Sequence, residues 1–225
     1  MSLMRLLLIR HGQTSSNVIH ALDTAFPGAD LTDMGRQQAA AIPAALADEP
    51  IDAIYASALV RTQQTAAPLA AQRGLEVQVR AGLAEIAAGI YEMRHDEEAI
   101  RAYVDAVFSW QQDPSRAVPG GENMTQVISR CDEVVQEIAA AGHRTAVIFS
   151  HGAMIRTYAA ARADNISFDV VAPHWLSNTG MVVLEGDPRG GWEMTGWCAE
   201  PLGGAHLDDP GAGDPTVMPQ LDSQP

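Results

Sequence analysis

The chain has 225 residues, 47% of them hydrophobic, which supplies one sizeable core and falls short of two full domains. Against 14 basic side chains stand 28 acidic ones, a formal charge of −14, which disfavours long-range attraction to nucleic acid or an anionic membrane, so any bound anion must be gripped locally. Every basic residue is arginine, and the lack of lysine excludes a Walker-type phosphate loop, a lysine Schiff base and a lysine general base.

The apolar run Leu6-Leu7-Leu8-Ile9 is too short for a signal-peptide core or a membrane span and reads as a buried strand over residues 5–9. A helix follows over 33–46, with Thr32 as its cap and Pro43 as a point of kinking. Next come a strand at 52–56, a helix over 58–72 capped by Ser57, and a strand at 76–80. Helical patterns recur at 96–112 and 124–141, separated by a loop at 113–121, and then a strand at 145–149. Cys131 falls in step with Val127, Ile128, Val134, Val135 and Ile138, which makes it a core residue. Cys131 and Cys198 are too few and too far apart for a secreted disulfide framework or a four-ligand zinc site, and a reducing cytoplasm fits. Strand-like runs close the domain near 180–184 and 192–198. This alternation implies an α/β sheet. The domain is expected to occupy 1–200, and the Pro-, Gly- and Asp-rich stretch 201–225 to be a disordered tail.

The sharpest chemical signal is Arg10-His11-Gly12-Gln13-Thr14, with Asn17 close behind, directly after the first buried strand. Strand ends of this kind form the ligand crevice of α/β sheets. Gly12 would let the backbone approach an anion, with N–H groups of the following turn aimed at phosphate oxygens. Arg10 adds a permanently charged fork, and nearby cations keep the imidazole of His11 neutral and nucleophilic. A histidine merely hydrogen-bonded at a strand end is the bland alternative. Ser150-His151-Gly152 repeats the strand-then-glycine context, and two parallel strands would bring both histidines to one edge. Arg61, one turn into its helix, reaches back toward that edge or else sits in solvent.

Together these residues resemble the histidine phosphatase superfamily, which includes the phosphoglycerate mutases. Arg10-His11-Gly12 with Thr14 and Asn17 is similar to the family's opening motif, and Leu31-Thr32 with Gly35 and Gln38-Ala39 to its next. Similar too are the run from Tyr55 through Ser57, Leu59, Arg61-Thr62 and Gln64-Thr65-Ala66, then Leu83 with Glu85, Pro119-Gly120-Gly121-Glu122 and Ser150-His151-Gly152. The resemblance implies a three-layer α/β/α fold with a mostly parallel central sheet, as in phosphoglycerate mutase. It implies His11 as nucleophile, with Arg10, Arg61 and His151 holding the phosphoryl oxygens and Glu85 as proton donor and then base. Thr14, Asn17 and the Gly152 backbone would line the phosphate site. No cofactor or metal is implied. One departure concerns the stretch after the acid: where the family has a second glycine, Gly89-Ile90-Tyr91-Glu92-Met93 ends in methionine.

The expected partner is a small phosphorylated metabolite, with the oligomeric state open and a homodimer among the options. Hydrolysis is favoured over mutase chemistry because segment 86–119 offers only Arg94, Arg101 and Arg116 beside Asp96, Glu97 and Glu98. A phosphate-recognising module without turnover would need neither His11 nor Glu85. A metallohydrolase using His11 and His151 is disfavoured by the flanking arginines and by the lack of HExxH spacing.

Overall fold

A computed structural model describes residues 3–171, 174–212 and Thr216. Its strands are β1 (Met4–Arg10), β2 (Ala53–Ala56), β3 (Val77–Val79), β4 (Thr145–Ser150), β5 (Met181–Asp187) and β6 (Gly191–Cys198). The helices are α1 (Ser15–Val18), α2 (Asp33–Ala45), α3 (Val60–Arg73), α4 (Glu97–Phe108), α5 (Met124–Ala140), α6 (Gly152–Arg162) and α7 (Phe168–Val171). The strands form one sheet in the order β3-β2-β4-β1-β5-β6. The pairings from β3 to β1 are parallel, and the β5–β6 hairpin adds an antiparallel edge.

Strand periodicity explains the layers. Successive side chains alternate faces, so Leu6 and Leu8 of β1 point to one side and Leu7 and Ile9 to the other. The first side packs on α4, α5 and α6 through Tyr103, Val107, Val127, Cys131, Ile155 and Tyr158. The second packs on Ile42 of α2 and on Ala66 and Leu69 of α3. With both faces covered, the strands read as continuous apolar runs rather than alternating ones.

Thr32 caps α2 as its sequence suggests, its side chain accepting the Gly35 N–H at 3.0 Å. Pro43 lies inside α2 in its last turn, and the helix continues to Ala45. Ser57 does not cap the next helix: α3 begins at Val60 with Leu59 at the cap position and no side-chain cap bond. The Ser57 hydroxyl accepts the Leu59 N–H at 3.2 Å, one residue ahead of the helix, and is engaged with His151.

The boundary at residue 200 also needs correction, because residues 201–212 pack on the domain. Leu202, Leu207 and Ala212 are buried, and short 3₁₀ turns span Ala205–Leu207 and Pro210–Ala212. Gln38 donates to the Leu207 carbonyl at 2.8 Å, and Gln13 to Asp209 Oδ2 at 2.8 Å. Average composition conceals this, since a few apolar anchors suffice when the folded body provides their groove and their hydrogen-bond partners. Of the remaining tail, 213–215 and 217–225 lie outside the described residues.

Candidate active site

Strand register builds the site. In the β1–β4 ladder Arg10 pairs with Ser150, so His11 and His151 leave adjacent parallel strands at the same level. Neighbouring strands lie about 4.8 Å apart, and the two imidazole centroids lie 5.2 Å apart. The His11 N–H donates to the Ser150 carbonyl at 3.0 Å, continuing the ladder one residue past the strand. Arg10, His11, Thr14, Asn17, Arg61, Glu85 and Gly152 border one cavity of about 40 Å³, which exceeds the ~10–15 Å³ that a single water requires. His151 is fully buried beside it.

His11 Nδ1 sits 2.7 Å from the carbonyl of Gly12. A carbonyl only accepts, so Nδ1 carries the hydrogen and Nε2 keeps the lone pair. Burial, followed by the charges of Arg61 and Arg10, holds the His11 pKa well below its ordinary value. The ring is therefore neutral at pH 7, with an unprotonated nitrogen beside two guanidinium groups.

The main chain around His11 differs from the cradle its sequence suggests. The Gly12 N–H donates to Thr65 Oγ1 at 2.9 Å, that of Gln13 to Gln38 Oε1 at 2.8 Å, and that of Thr14 to Asn17 Oδ1 at 2.9 Å. These three donors hold the loop itself. Glycine is required at position 12 for packing: a Cβ there would stand 2.7 Å from the Gly35 carbonyl oxygen, and one on Gly35 would stand 2.1 Å from that of Gln13. The loop thus rests backbone to backbone on the first turn of α2. Thr14 and Asn17 form the capping box of α1 and present its first turn to the cavity.

Arg61 reaches the strand edge from α3 and is 3% exposed. Its Nη2 donates to the Asp23 carbonyl at 2.7 Å and to His151 Nδ1 at 3.2 Å, while Nη1 lies 3.5 Å from Asp23 Oδ2. Asp23 is itself fixed by the Ser16 hydroxyl at 2.8 Å and the Ala29 N–H at 3.0 Å. Arg10 Nη1 donates to the Leu176 carbonyl at 2.7 Å. The His151 pKa is pushed well down by burial first, and then by Arg61 and His11.

Glu85 enters from the opposite wall. Its carboxylate accepts from the N–H groups of Ile86 at 2.8 Å, Met154 at 2.9 Å and Ala153 at 3.2 Å, the last two at the N-terminus of α6. Its loop is stitched by Arg130, which donates to the carbonyls of Gly82 and Ala84 at 2.8 Å and pairs with Glu122 at 2.8 Å. Glu122 of the Pro-Gly-Gly-Glu motif therefore supports the acid rather than touching the cavity.

The structure thus brings the eight expected residues together where β1 and β4 end: seven border the cavity, whereas His151, expected to hold phosphoryl oxygens, is not among the bordering residues and has its ring nitrogens engaged by Ser57 and Arg61. Sequence reasoning missed Asp23, the anchor of Arg61; Thr65, the acceptor for Gly12; Ser57, the partner of His151; and Asn178, whose Nδ2 donates to the His11 carbonyl at 3.0 Å. Thr65 and Ser57 lay within a quoted motif, whereas Asp23 and Asn178 carry no local signal. Among the described residues no cluster of three or more His, Cys, Asp or Glu side chains is arranged to hold a metal ion, and no helix is long and apolar enough to cross a membrane.

An α/β/α sheet that presents two histidines and two arginines at its carboxyl edge defines a phosphoryl-handling class of fold. Residues 6–200 match the histidine phosphatase superfamily (branch 1), and the chain belongs to that family. It is 37% identical over 217 residues to the PE-PGRS family protein PE_PGRS11 of Mycobacterium tuberculosis, covering 88% of this chain but 37% of that longer protein. It is 30% identical over 221 residues to the glucosyl-3-phosphoglycerate phosphatase of Mycolicibacterium vanbaalenii, covering 88% of this chain and 96% of the relative. The solved native structure of a mycobacterial glucosyl-3-phosphoglycerate phosphatase superposes with a TM-score of 0.75 at 27% identity, over 88% of this chain and all of the other.

Proposed function

We propose that the protein hydrolyses a small phosphate monoester through a phosphohistidine on His11. The observation that carries this reading is the His11 tautomer: with Nδ1 bound to the Gly12 carbonyl, the lone pair of Nε2 remains beside Arg10 and Arg61. Nε2 attacks phosphorus, and the bond from phosphorus to the ester oxygen breaks. Glu85 in its protonated form gives its proton to the leaving alcohol. A water then attacks phosphorus, Glu85 takes the water's proton, and the P–N bond breaks to release phosphate and neutral His11. Arg10 and Arg61 meet the charge that spreads over the equatorial oxygens.

Hydrolysis is favoured over mutase transfer by the charge around the cavity. Arg94 is paired with Asp96 at 2.7 Å and Arg101 with Glu97, and neither these two nor Arg116 borders the cavity. The test is to incubate the purified chain with an aryl phosphate, quench in base and locate the phosphoryl group by mass spectrometry. Phosphate release with an acid-labile phosphoryl group on the His11 peptide is expected. Release without that adduct, in both wild type and His11→Ala, would sink the covalent route. A panel of metabolite phosphates, with mutase activity measured alongside, separates the two reactions and assigns the substrate.

A further inference from the structure

Ser57 is fully buried and has no part in the chemistry above. Its hydroxyl lies 2.8 Å from His151 Nε2 and 3.0 Å from Thr62 Oγ1. The direction of each bond follows from counting hydrogens. Thr62 has one hydroxyl hydrogen, and its other partners, the carbonyls of Leu59 at 2.8 Å and Ser57 at 3.1 Å, only accept. With the Thr62 hydrogen directed at these carbonyls, Thr62 accepts from Ser57. Ser57, which already accepts the Leu59 N–H at 3.2 Å and gives its hydrogen to Thr62, then accepts from His151 with its second lone pair, so Nε2 carries the ring hydrogen. The other side of the ring supports the same assignment independently: Arg61 Nη2 stands 3.2 Å from Nδ1, and a guanidinium only donates. Nδ1 therefore holds the lone pair.

We propose that Ser57 is a positioning residue which, with Thr62, locks His151 in the Nε2–H tautomer and so turns the Nδ1 lone pair toward Arg61 to hold its guanidinium at the phosphate cavity. In the other tautomer two N–H groups would face each other across the His151–Arg61 gap, and the guanidinium would keep only its Asp23 contacts. The two histidines would then be opposite tautomers by design: hydrogen on Nδ1 in His11, hydrogen on Nε2 in His151. The effect on turnover rests on the phosphatase reading; the tautomer does not.

Long-range proton–nitrogen NMR of the ¹⁵N-labelled full chain at neutral pH reads the ring state directly, with His151→Gln assigning the signals. The Nε2–H pattern is expected for His151 in wild type. Ser57→Ala should convert it to a mixture or to the opposite tautomer and lower kcat for an aryl phosphate about tenfold, with a smaller change in KM. Ser57→Thr, which retains the hydroxyl, should restore both, and Thr62→Val should act like Ser57→Ala. An Nδ1–H pattern in wild type overturns the proposal even if no variant folds. So does Ser57→Ala with wild-type kcat, or with lowered kcat and an unchanged ring pattern. A wild-type chain that hydrolyses no phosphate ester yet shows the locked ring would instead remove the phosphatase reading alone.

Discussion

Arg10-His11-Gly12 and Ser150-His151-Gly152 are near twins in sequence, each a histidine and a glycine after a parallel strand, yet their surroundings diverge at once. After Gly12 the chain turns into a loop that packs on Gly35, and His11 ties only Nδ1, to its neighbour's carbonyl. After His151 the chain enters α6 immediately, and both ring nitrogens are bonded. On the proposed mechanism, the contrast separates an attacking ring from a supporting one by what lies opposite the second nitrogen.

Substituting each histidine exposes that difference most strongly. On the proposed roles, His11→Ala removes the attacking group and should reduce hydrolysis of an aryl phosphate by at least about 10⁴-fold, whereas His151→Ala removes a support and should cost about 10²–10³-fold. Equal losses in steady-state kinetics would erase the distinction. Glu85→Gln should slow esters of poor leaving groups by about 10²-fold or more and good ones far less, as a leaving-group series would show.

Asp23→Asn weakens the clamp on Arg61 without touching either ring, and should lower kcat/KM by up to about 100-fold through misplacement of the guanidinium. Unchanged inhibition by vanadate in that variant would argue against it.

Both rings are held neutral, their pKa values well below the ordinary 6.5. As pH falls the unfolded chain binds their protons first. Stability contributed by the neutral rings is therefore full above about pH 6.5 and declines below it, by up to about 1.4 kcal/mol per pH unit for each ring. Denaturant melts across pH 4–8 should show the slope reduced in His151→Gln.

The smallest effect concerns the position where the family glycine is replaced. Met93 adopts φ 60°, the left-handed region that favours glycine, and is largely exposed. Met93→Gly should raise stability by about 0.5 kcal/mol, strain relief being partly offset by a freer unfolded chain. A lowered melting temperature would show that the methionine side chain stabilises the loop.

Much of this was legible in the sequence because strand ends advertise themselves. An apolar run followed by a polar residue, histidine and glycine specifies both a buried strand and what emerges from it, and the same order at Ser150 implied the pairing. Ser57 was misread as a helix cap, since a serine before a helix supplies a local acceptor in most settings, and only the β2–β4 pairing reveals that His151 competes for it. Asp23 resembles any of 28 acidic residues until Arg61 folds back upon it. The stretch beyond residue 200 looked unable to order itself because its anchors are distant in sequence: Gln13, Gln38 and the Thr179 carbonyl supply hydrogen bonds to it.

The shared register of β1 and β4 has a consequence for how the protein fails on heating. Because both imidazoles issue directly from the ends of the two central strands of the sheet, loosening of peripheral segments leaves their spacing untouched. Loss of activity with temperature should therefore coincide with melting of the whole domain rather than run ahead of it.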